Sequence, residues 1–333
     1  MKQTNLSIFI PHIGCPHLCS FCDQKSISGA AKAPAADEVS ELLARQAEHL
    51  REIGARAEIA FFGGSFTAIP RGYMTELLKT AARAVKELGA YNGIRCSTRP
   101  DCVTEEITDI LREYGVTSVE LGAQSMSDEV LAANDRGHTA EDVRRASELI
   151  KKSGIHLGLQ MMTGLYKDSR EAVLYTAREF IKIAPETVRI YPTVILKGTR
   201  LGELYGRGEF TSFGFEETVE LCAELLRMFG REDIVVIRMG LHASAEVERD
   251  MLGGVYHPAF RELCESRIML EDTTERLKGL PEGEYTVFTD KRNISRLVGQ
   301  RRGNIEALQK AGFKIKVGER AGSYLEIVPK TEI

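Results

Sequence analysis

Short apolar runs rich in β-branched residues alternate with longer amphipathic stretches through the first 230 residues. The apolar runs have the length of strands and cover residues 6–11, 57–62, 93–97, 116–121, 155–161 and 187–192. The stretches between them carry apolar stripes at helical spacing, as Leu42, Leu43, Ala47 and Leu50 do. Strands that alternate with helices predict parallel strands joined by right-handed crossovers. Six such units are too few for a closed eight-unit barrel, so we expect an α/β fold with a partial (β/α)6 TIM-type barrel.

Polar and glycine residues follow every one of these six predicted strands. They are the cysteine cluster, Gly63–Ser65, Ser97–Asp101, Gln124–Ser125, Gln160 and Tyr191–Pro192. Any one of these groups is compatible with an ordinary turn. In barrels of this kind, however, the chemistry lies in the loops at the carboxyl ends of the strands, so the repetition predicts a functional site there.

Composition narrows the class of protein. The chain has 333 residues, of which 43% are hydrophobic and 28% charged, which excludes a disordered tail and a small disulfide scaffold. No run of eighteen apolar residues is present, and Pro11, His12 and Gly14 interrupt the N-terminal apolar run before a signal-peptide core forms. We therefore expect a soluble, cytoplasmic protein.

Three of the seven cysteines, Cys15, Cys19 and Cys22, lie within eight residues. In a reducing compartment this crowding predicts a metal site before disulfides. A zinc site needs a fourth ligand, which His12 or His17 could supply, but zinc loops usually carry a second ligand pair, and none is present. Three thiolates favour a 4Fe-4S cluster in which one iron has no protein ligand and stays open to substrate.

The spacing CxxxCxxC after the first strand of such a barrel resembles the radical S-adenosylmethionine (SAM) superfamily. The segments FIPHIGCPHLCSFC, FFGGSFTAIP, STRPD, VELGAQS followed by RGHT, and VRIYPTVILKGTRLGELY resemble the catalytic subunit of Elongator and its shorter bacterial relatives, over residues 6–215. This resemblance implies a cluster that reductively cleaves SAM to a 5′-deoxyadenosyl radical. It also implies an electron donor such as flavodoxin or ferredoxin.

The resemblance implies roles for individual residues. Cys15, Cys19 and Cys22 match the cluster ligands and so the catalytic centre. The matched SAM contacts are Gly63, Gly64, Ser65, Ser97, Gln124, Arg136 and Gln160. The planar fork of Arg136 suits a methionine carboxylate. The segment MMTGLYK departs from the family pattern, because Thr163 and Tyr166 stand where relatives carry proline.

The last ninety residues form a separate region by composition. We divide the chain into a core domain over 1–240 and a C-terminal region over 241–333. Residues 286–322 contain nine basic and three acidic side chains. The order of strand, helix, Gly299–Gly303 loop, helix and two strands resembles a KH-type nucleic-acid module over about 285–330. Arg302 stands where that motif has its second glycine, so a small α+β cap with a solvated basic turn is the alternative.

The leading hypothesis is a radical SAM enzyme that modifies RNA, specifically a tRNA base. Its candidate substrate contacts are Tyr191, Lys197, Arg200, Arg301 and Arg302. In Elongator the radical domain works with an acetyltransferase domain, and no segment here resembles one, so we expect another acyl donor, a partner protein or a simpler modification. Two alternatives stay open: porphyrin-type oxidative decarboxylation of a small molecule, and a non-enzymatic iron-sulfur RNA-binding protein.

Overall fold

The computed structural model describes residues 3–10, 15, 18–23 and 32–330. Its strands are β1 (Gln3–Ile10), β2 (Arg56–Gly63), β3 (Tyr91–Thr98), β4 (Val116–Gln124), β5 (His156–Thr163), β6 (Thr187–Pro192), β7 (Val194–Leu196), β8 (Val235–Met239), β9 (Met251–Gly254), β10 (Gly283–Thr289), β11 (Phe313–Glu319) and β12 (Glu326–Pro329).

The helices of the same residues alternate with these strands along most of the chain. They are α1 (Ala36–Glu52), α2 (Arg71–Leu88), α3 (Glu105–Glu113), α4 (Asp128–Ala133), α5 (Ala140–Lys152), α6 (Arg170–Ile183), α7 (Arg200–Gly206), α8 (Phe215–Arg231), α9 (Ala245–Asp250), α10 (Phe260–Leu277), α11 (Ile294–Val298) and α12 (Gly303–Lys310). No helix in the described part of the chain is both long and apolar enough to cross a membrane.

The main sheet contains seven parallel strands in the order β1-β2-β3-β4-β5-β6-β8. The guanidinium of Arg189 on β6 lies 5.3 Å from the ring centroid of Phe62 on β2. In a flat sheet, four strand spacings of about 4.8 Å would separate these two strands by roughly 19 Å. The sheet is therefore curled into a half-barrel, which confirms the predicted partial barrel.

The seventh strand, β8, is absent from the sequence prediction. It pairs in parallel with β6, with Thr187 opposite Val235 and Ile190 opposite Met239. Its β-branched run was visible in the sequence, and Gly240, His242 and Ser244 follow it as polar or glycine residues follow the other six strands. The barrel is therefore one βα unit longer than expected.

Alternation along the strands separates the two faces of the barrel wall. On β6, Val188 and Ile190 are fully buried, whereas Arg189 and Tyr191 are half-buried and lie on the inner face. The outer helices contribute apolar stripes to the core, such as Leu43 and Ala47 of α1. The interior of the half-barrel is consequently the polar side of the sheet.

Contacts divide the chain into two compact units: Met1–Phe213 with Phe229–Tyr256, and Gly214–Met228 with His257–Ile333. The division after Tyr256 differs from the expected boundary at residue 240. The second unit contains a sheet in the order β11-β10-β12, in which β11 is parallel and β12 antiparallel to β10. Val287, Leu297 and Leu308 belong to its own core. The expected small C-terminal α+β domain is thus confirmed.

Candidate active site

A cavity of about 340 Å³ opens at the carboxyl ends of the barrel strands. The sequence-predicted residues that line it are Cys15, Cys19, Cys22, Gly63, Gly64, Ser65, Ser97, Gln124, Arg136, Gln160 and Tyr191. They come from six different strands or the loops after them. The fold therefore brings together residues that the sequence spreads over more than 170 positions.

The cysteine loop is anchored between its second and third cysteine. The backbone N–H of Ser20 donates to the Asn134 carbonyl at 3.1 Å, and the Ser20 hydroxyl donates to Asn134 Oδ1 at 2.7 Å. Asn134 is itself fully buried and donates to the carbonyl of Tyr166 at 2.9 Å. The Ser20 carbonyl accepts from the N–H of Leu201 at 2.7 Å. These bonds hold Cys19 and Cys22 at the mouth of the barrel.

Arg136 connects the cysteine loop to the fourth strand. Its Nη1 donates to Cys19 Sγ at 2.9 Å, and its Nη2 donates to the Gly122 carbonyl at 2.5 Å. A Cβ on Gly122 would approach Arg136 Nη2 to 3.5 Å and Gln124 Nε2 to 2.9 Å, so glycine makes room for both side chains. The Nε of Arg136 is buried and has no hydrogen-bond partner among the described residues. One donor is thus left over beside the cysteines.

Arg99 holds the backbone of Arg136 in place. It forms a two-bond fork with Asp101, with both N···O distances 3.0 Å, and its Nη2 also donates to the Arg136 carbonyl. Arg99 is only 4% exposed, and its buried Nη1 has no hydrogen-bond partner in the part of the chain that the structure describes. The predicted loop Ser97–Asp101 therefore contains a positioning arginine that the sequence analysis did not assign.

The pKa of Cys22 depends on its burial and on the two neighbouring cysteines. Burial raises the pKa of the Cys22 thiol to about 12, and the neighbouring Cys19 and Cys15 add to this increase. Within the described residues, no three His, Cys, Asp or Glu side chains are gathered as a metal site. His12 and His17, the alternative zinc ligands, lie outside the described residues. The assignment of the cysteines as cluster ligands therefore stays a prediction.

The glycine pair closes the end of β2 against β1. The N–H of Gly64 donates to the Ile10 carbonyl at 2.8 Å. Gly63 has a φ of +112°, and a Cβ there would lie 2.7 Å from the same carbonyl oxygen. Only glycine fits this close approach.

Ser65 and Ser97 occupy different surroundings. Ser65 is 1% exposed; its hydroxyl lies 2.8 Å from that of Thr98 and accepts from the N–H of Arg99 at 3.2 Å. The Thr98 hydroxyl lies in turn 2.6 Å from that of Thr67. This chain of hydroxyls joins the loops after β2 and β3. Ser97, by contrast, is half-buried and faces the cavity.

Gln124 is placed by a bulge at the end of β4. Its φ is +69°, and the pairing of β4 with β5 shifts register between Gly122 and Gln124. His138 Nε2 lies 3.1 Å from the Ala123 carbonyl, within this bulge. Gln160 Nε2 donates to Gln124 Oε1 at 3.2 Å. The two predicted glutamines therefore meet inside the cavity.

A buried ion network crosses the barrel below these residues. Arg95 pairs with Glu58 and with Glu120, each at 2.8 Å, and Arg189 pairs with Glu120 at 2.7 Å. The Glu120 side chain is 4% exposed and that of Arg189 14%. The sequence analysis missed this network. The signal available was the alternation in the sixth strand, which puts Arg189 on the same face as Tyr191.

The loop after β5, where the family pattern is altered, is closed by Asp168. This carboxylate accepts from the N–H groups of Gly164 at 2.9 Å and Ser169 at 3.0 Å. Burial raises the pKa of Asp168 to about 6, partly offset by these bonds. Tyr166 packs edge-on against Phe210, with ring centroids 5.9 Å apart. The tyrosine in place of proline thus has a packing role.

The other predicted substrate contacts lie outside this cavity. Lys197 is exposed, and Arg200 is exposed and paired with Asp135. In the second unit, Arg301 and Arg302 are exposed with φ of +50° and +66°. Arg302 therefore adopts the left-handed conformation usually taken by glycine. Of the five predicted substrate contacts, the structure brings Tyr191 alone to the cavity.

Comparison with known proteins identifies the class. The family model of the radical SAM superfamily matches residues 9–180, and a radical SAM C-terminal domain matches residues 185–269. The chain therefore belongs to the radical SAM superfamily. Its cofactors are a 4Fe-4S cluster and SAM.

The chain is also similar to individual proteins over part of their length. The chain is 28% identical to human Elongator complex protein 3 over 273 residues, which cover 72% of this chain and 48% of that protein. It is 32% identical to the tRNA uridine(34) acetyltransferase of Methanocaldococcus infernus over 202 residues, which cover 53% of this chain and 37% of that one. The chain thus spans half or less of these two relatives.

A solved structure of the Methanocaldococcus infernus Elp3 with an N-terminal deletion is also similar. Its TM-score is 0.65 at 22% identity, over 81% of this chain and 63% of that one. At this identity the likeness shows the fold, and it agrees with the curled parallel sheet described above.

Proposed function

We propose that this chain is a radical SAM enzyme that modifies a tRNA base, with Cys15, Cys19 and Cys22 as the cluster ligands. The observation that most supports this proposal is that one cavity gathers the predicted residues. The three cysteines, the Gly63–Gly64 pair and Arg136 all line it, although they come from three different strands and their loops. The cofactors supply reductive cleavage of SAM to a 5′-deoxyadenosyl radical, which abstracts hydrogen from a substrate.

The residues of the cavity fit these cofactors. The three thiols suit a 4Fe-4S cluster with one open iron. The buried and unpartnered Nε of Arg136 and Nη1 of Arg99 are donors available for a carboxylate, such as that of methionine. The backbone carbonyls of Gly63 and Gly64 are hydrogen-bond acceptors, which the amino group of SAM requires. Gln124 and Gln160 add amide groups that can orient hydroxyls of a ribose.

A tRNA base is the substrate that the cavity and the relatives favour. A cavity of about 340 Å³ lies at the small end of the range for ligand sites and must hold SAM as well. That space suits one extruded base better than a whole tetrapyrrole. A relative that covers 53% of the chain is named for a reaction on tRNA uridine 34.

The second unit supplies a feature compatible with RNA binding. Arg301 and Arg302 are adjacent, exposed and held in left-handed backbone conformations between α11 and α12. Within the described chain, no carboxylate forms an ion pair with either guanidinium. Unpaired guanidinium groups at a helix junction can contact phosphates, which gives affinity without sequence preference.

Cofactor chemistry is tested first. Full-length protein reconstituted anaerobically with iron and sulfide should form 5′-deoxyadenosine from SAM under reducing conditions. The Cys19→Ala variant should lose that product and the cluster absorbance. A Cys264→Ala variant, altered at a buried cysteine of the second unit, should keep both. Product formation by the Cys19→Ala variant at the wild-type rate would contradict the ligand assignment.

The substrate is tested separately. We expect tRNA to bind the wild type at low salt, and the double change Arg301→Ala with Arg302→Ala to weaken this binding. Removing two phosphate contacts should reduce the slope of log affinity against log salt by roughly 1.4 for a single strand. The matched control, Arg207→Ala with Arg231→Ala, removes two exposed arginines elsewhere. A deletion strain with an unchanged tRNA nucleoside profile would argue against the tRNA substrate.

A further inference from the structure

One row of side chains crosses the inner face of the barrel at the level of the predicted SAM contacts. In the strand register, Gly122 of β4 is opposite Gln160 of β5, Gln160 is opposite Arg189 of β6, and Arg189 is opposite Arg238 of β8. Two arginines therefore stand side by side at the β8 edge of the sheet. Like charges directly opposite each other in a sheet are destabilising unless something compensates them.

The charges in this part of the barrel do not balance. Glu58 and Glu120 pair with Arg95 and Arg189, two carboxylates for two guanidiniums. Arg238 is a third guanidinium. Its Nε donates to the Gly240 carbonyl at 2.8 Å, and none of the carboxylates in the described ranges forms an ion pair with it. One positive charge is left without a counter-charge from the protein.

His242 extends this cationic group into the loop after β8. It lines the cavity together with Arg189 and Tyr191. Burial lowers the pKa of His242, and the charges of Arg238 and Arg189 lower it further. Burial also lowers the pKa of Arg238, and Arg189 contributes to this decrease. Strand register places the half-buried Arg238 beside Arg189, and the exposed His242 lines the same cavity as Arg189, so these side chains make this edge of the cavity electropositive.

We propose that Arg189, Arg238 and His242 form an oxyanion-binding subsite at the β6–β8 edge of the cavity, which receives a phosphate or carboxylate group of the molecule to be modified. The proposal rests on the proposed function only in treating this cavity as the place of the radical chemistry. A bound oxyanion would supply the missing counter-charge and accept from donors already fixed on two neighbouring strands.

Sheet order separates this subsite from the cofactor residues. The cysteines follow β1, at one edge of the sheet, and Arg238 lies on β8, at the other edge. Arg136 and Arg99, each with a buried unpartnered nitrogen, already stand beside the cysteines for the carboxylate of SAM. The β8 arginine is therefore available to the second reactant. An anion held there would orient that reactant toward the cofactor end of the same cavity.

The test uses full-length protein carrying ¹³C-labelled histidine, titrated with inorganic pyrophosphate or with acetate and followed by NMR. We expect one or both probes to shift the His242 resonance, identified with a His242→Gln variant, in a saturable manner. Pyrophosphate alone points to a phosphate source and acetate alone to a carboxylate source. No saturable shift with either probe would overturn the proposal.

Substitutions decide whether Arg238 binds the probe. Arg238→Gln should weaken probe affinity by about tenfold, the usual effect of losing one charged hydrogen-bonding group. Arg238→Lys, which keeps the charge, should retain most of it, a rescue that a merely structural role would not predict. Arg207→Gln, an exposed arginine of the same unit, is the matched control. Equal affinity of the wild type and Arg238→Gln for the probe would overturn the proposal.

Measuring the SAM affinity of the reconstituted protein tests whether the bound anion is instead the carboxylate of SAM. If Arg238→Gln weakens SAM as strongly as it weakens the probe, the anion is the SAM carboxylate and the assignment to substrate is wrong. We expect SAM affinity to be unchanged. Probe binding requires neither 5′-deoxyadenosine formation nor tRNA, so this result is independent of the tests of the proposed function.

Discussion

Two parts of the same cavity are built differently. The part formed by the loops after β1 to β4 is held largely by neutral hydrogen bonds, such as those of Ser20 with Asn134 and of Ser65 with Thr98, alongside the Arg99–Asp101 ion pair. The part formed by the inner faces of β3, β4 and β6 is held by buried ion pairs around Glu120. Neutral bonds tolerate the loss of one partner better than ion pairs, because a buried unpaired charge is far more costly than an unpaired hydroxyl.

The largest effect is expected for Glu120→Gln, which disrupts the ion-paired part of the cavity. The change leaves Arg95 with Glu58 and removes the carboxylate that pairs with Arg189. We expect the free energy of unfolding to fall by about 3 to 5 kcal/mol, measured by denaturant titration. Glu148→Gln, which breaks an exposed pair with Lys152, should produce no measurable change. Equal effects of the two changes would show that the buried network is not structurally important.

A second prediction concerns the backbone of the hydrogen-bonded part. Gly63→Ala places a Cβ against the Ile10 carbonyl at a φ of +112°. We expect a loss of about 3 kcal/mol, at the upper end of the range for backbone strain, together with loss of reconstituted cluster. In Gly72→Ala, whose Cβ would have no neighbour within 4 Å, stability should be unchanged or slightly higher. A Gly63→Ala variant with wild-type thermal stability would refute the close approach.

A smaller effect is expected for Asn134→Ala. This change removes the partner of the Ser20 hydroxyl and the donor to the Tyr166 carbonyl. The expected cost is about 2 kcal/mol, with a lower iron content after reconstitution because the cysteine loop loses its anchor. Asn92→Ala, at an exposed position of β3, is the control. If iron content and stability stay the same in both variants, the anchor has no role in the cluster site.

The last predicted effect depends on pH. Because the folded-state pKa of Asp168 is raised to about 6, the folded protein binds this proton more tightly than the unfolded chain does. The contribution to stability is present below the ordinary pKa of 3.8 and is lost as pH rises through about 6. The stability of Asp168→Asn relative to wild type should therefore increase from pH 4 to pH 7. A difference that is constant over this range would contradict the raised pKa.

The two parts of the cavity also differ in how far sequence predicts them. Cys15, Cys19 and Cys22 form a local motif, so their spacing alone predicted a metal site. Arg189 and Glu120 are single residues on separate strands, and nothing near either one in sequence marks the pair. Their contact depends on strand order and register, which local pattern does not specify. The same reason explains why the position of Arg238 beside Arg189 was missed.

In the C-terminal region the order of the elements was predictable from the sequence, whereas one backbone conformation was not. The order of strand, helix, basic loop, helix and two strands was predicted correctly, because turn residues such as Gly299 interrupt the pattern at each boundary. The backbone of Arg302 was not predictable, since its left-handed conformation is imposed by the connection between α11 and α12. Whether this loop binds RNA stays a prediction.

The sequence by itself determined the alternation of strands and helices, the partial barrel and the class of chemistry, because hydrophobic period and cysteine spacing are local properties. Only the tertiary structure decided which side chains meet. It placed Arg136 on Cys19, buried Ser65 in a chain of hydroxyls, and kept Lys197 and Arg200 outside the cavity. The physical reason is that the curled sheet of seven strands brings together inward-facing side chains from distant parts of the chain. Because these side chains are buried, each charged one needs a partner of opposite charge.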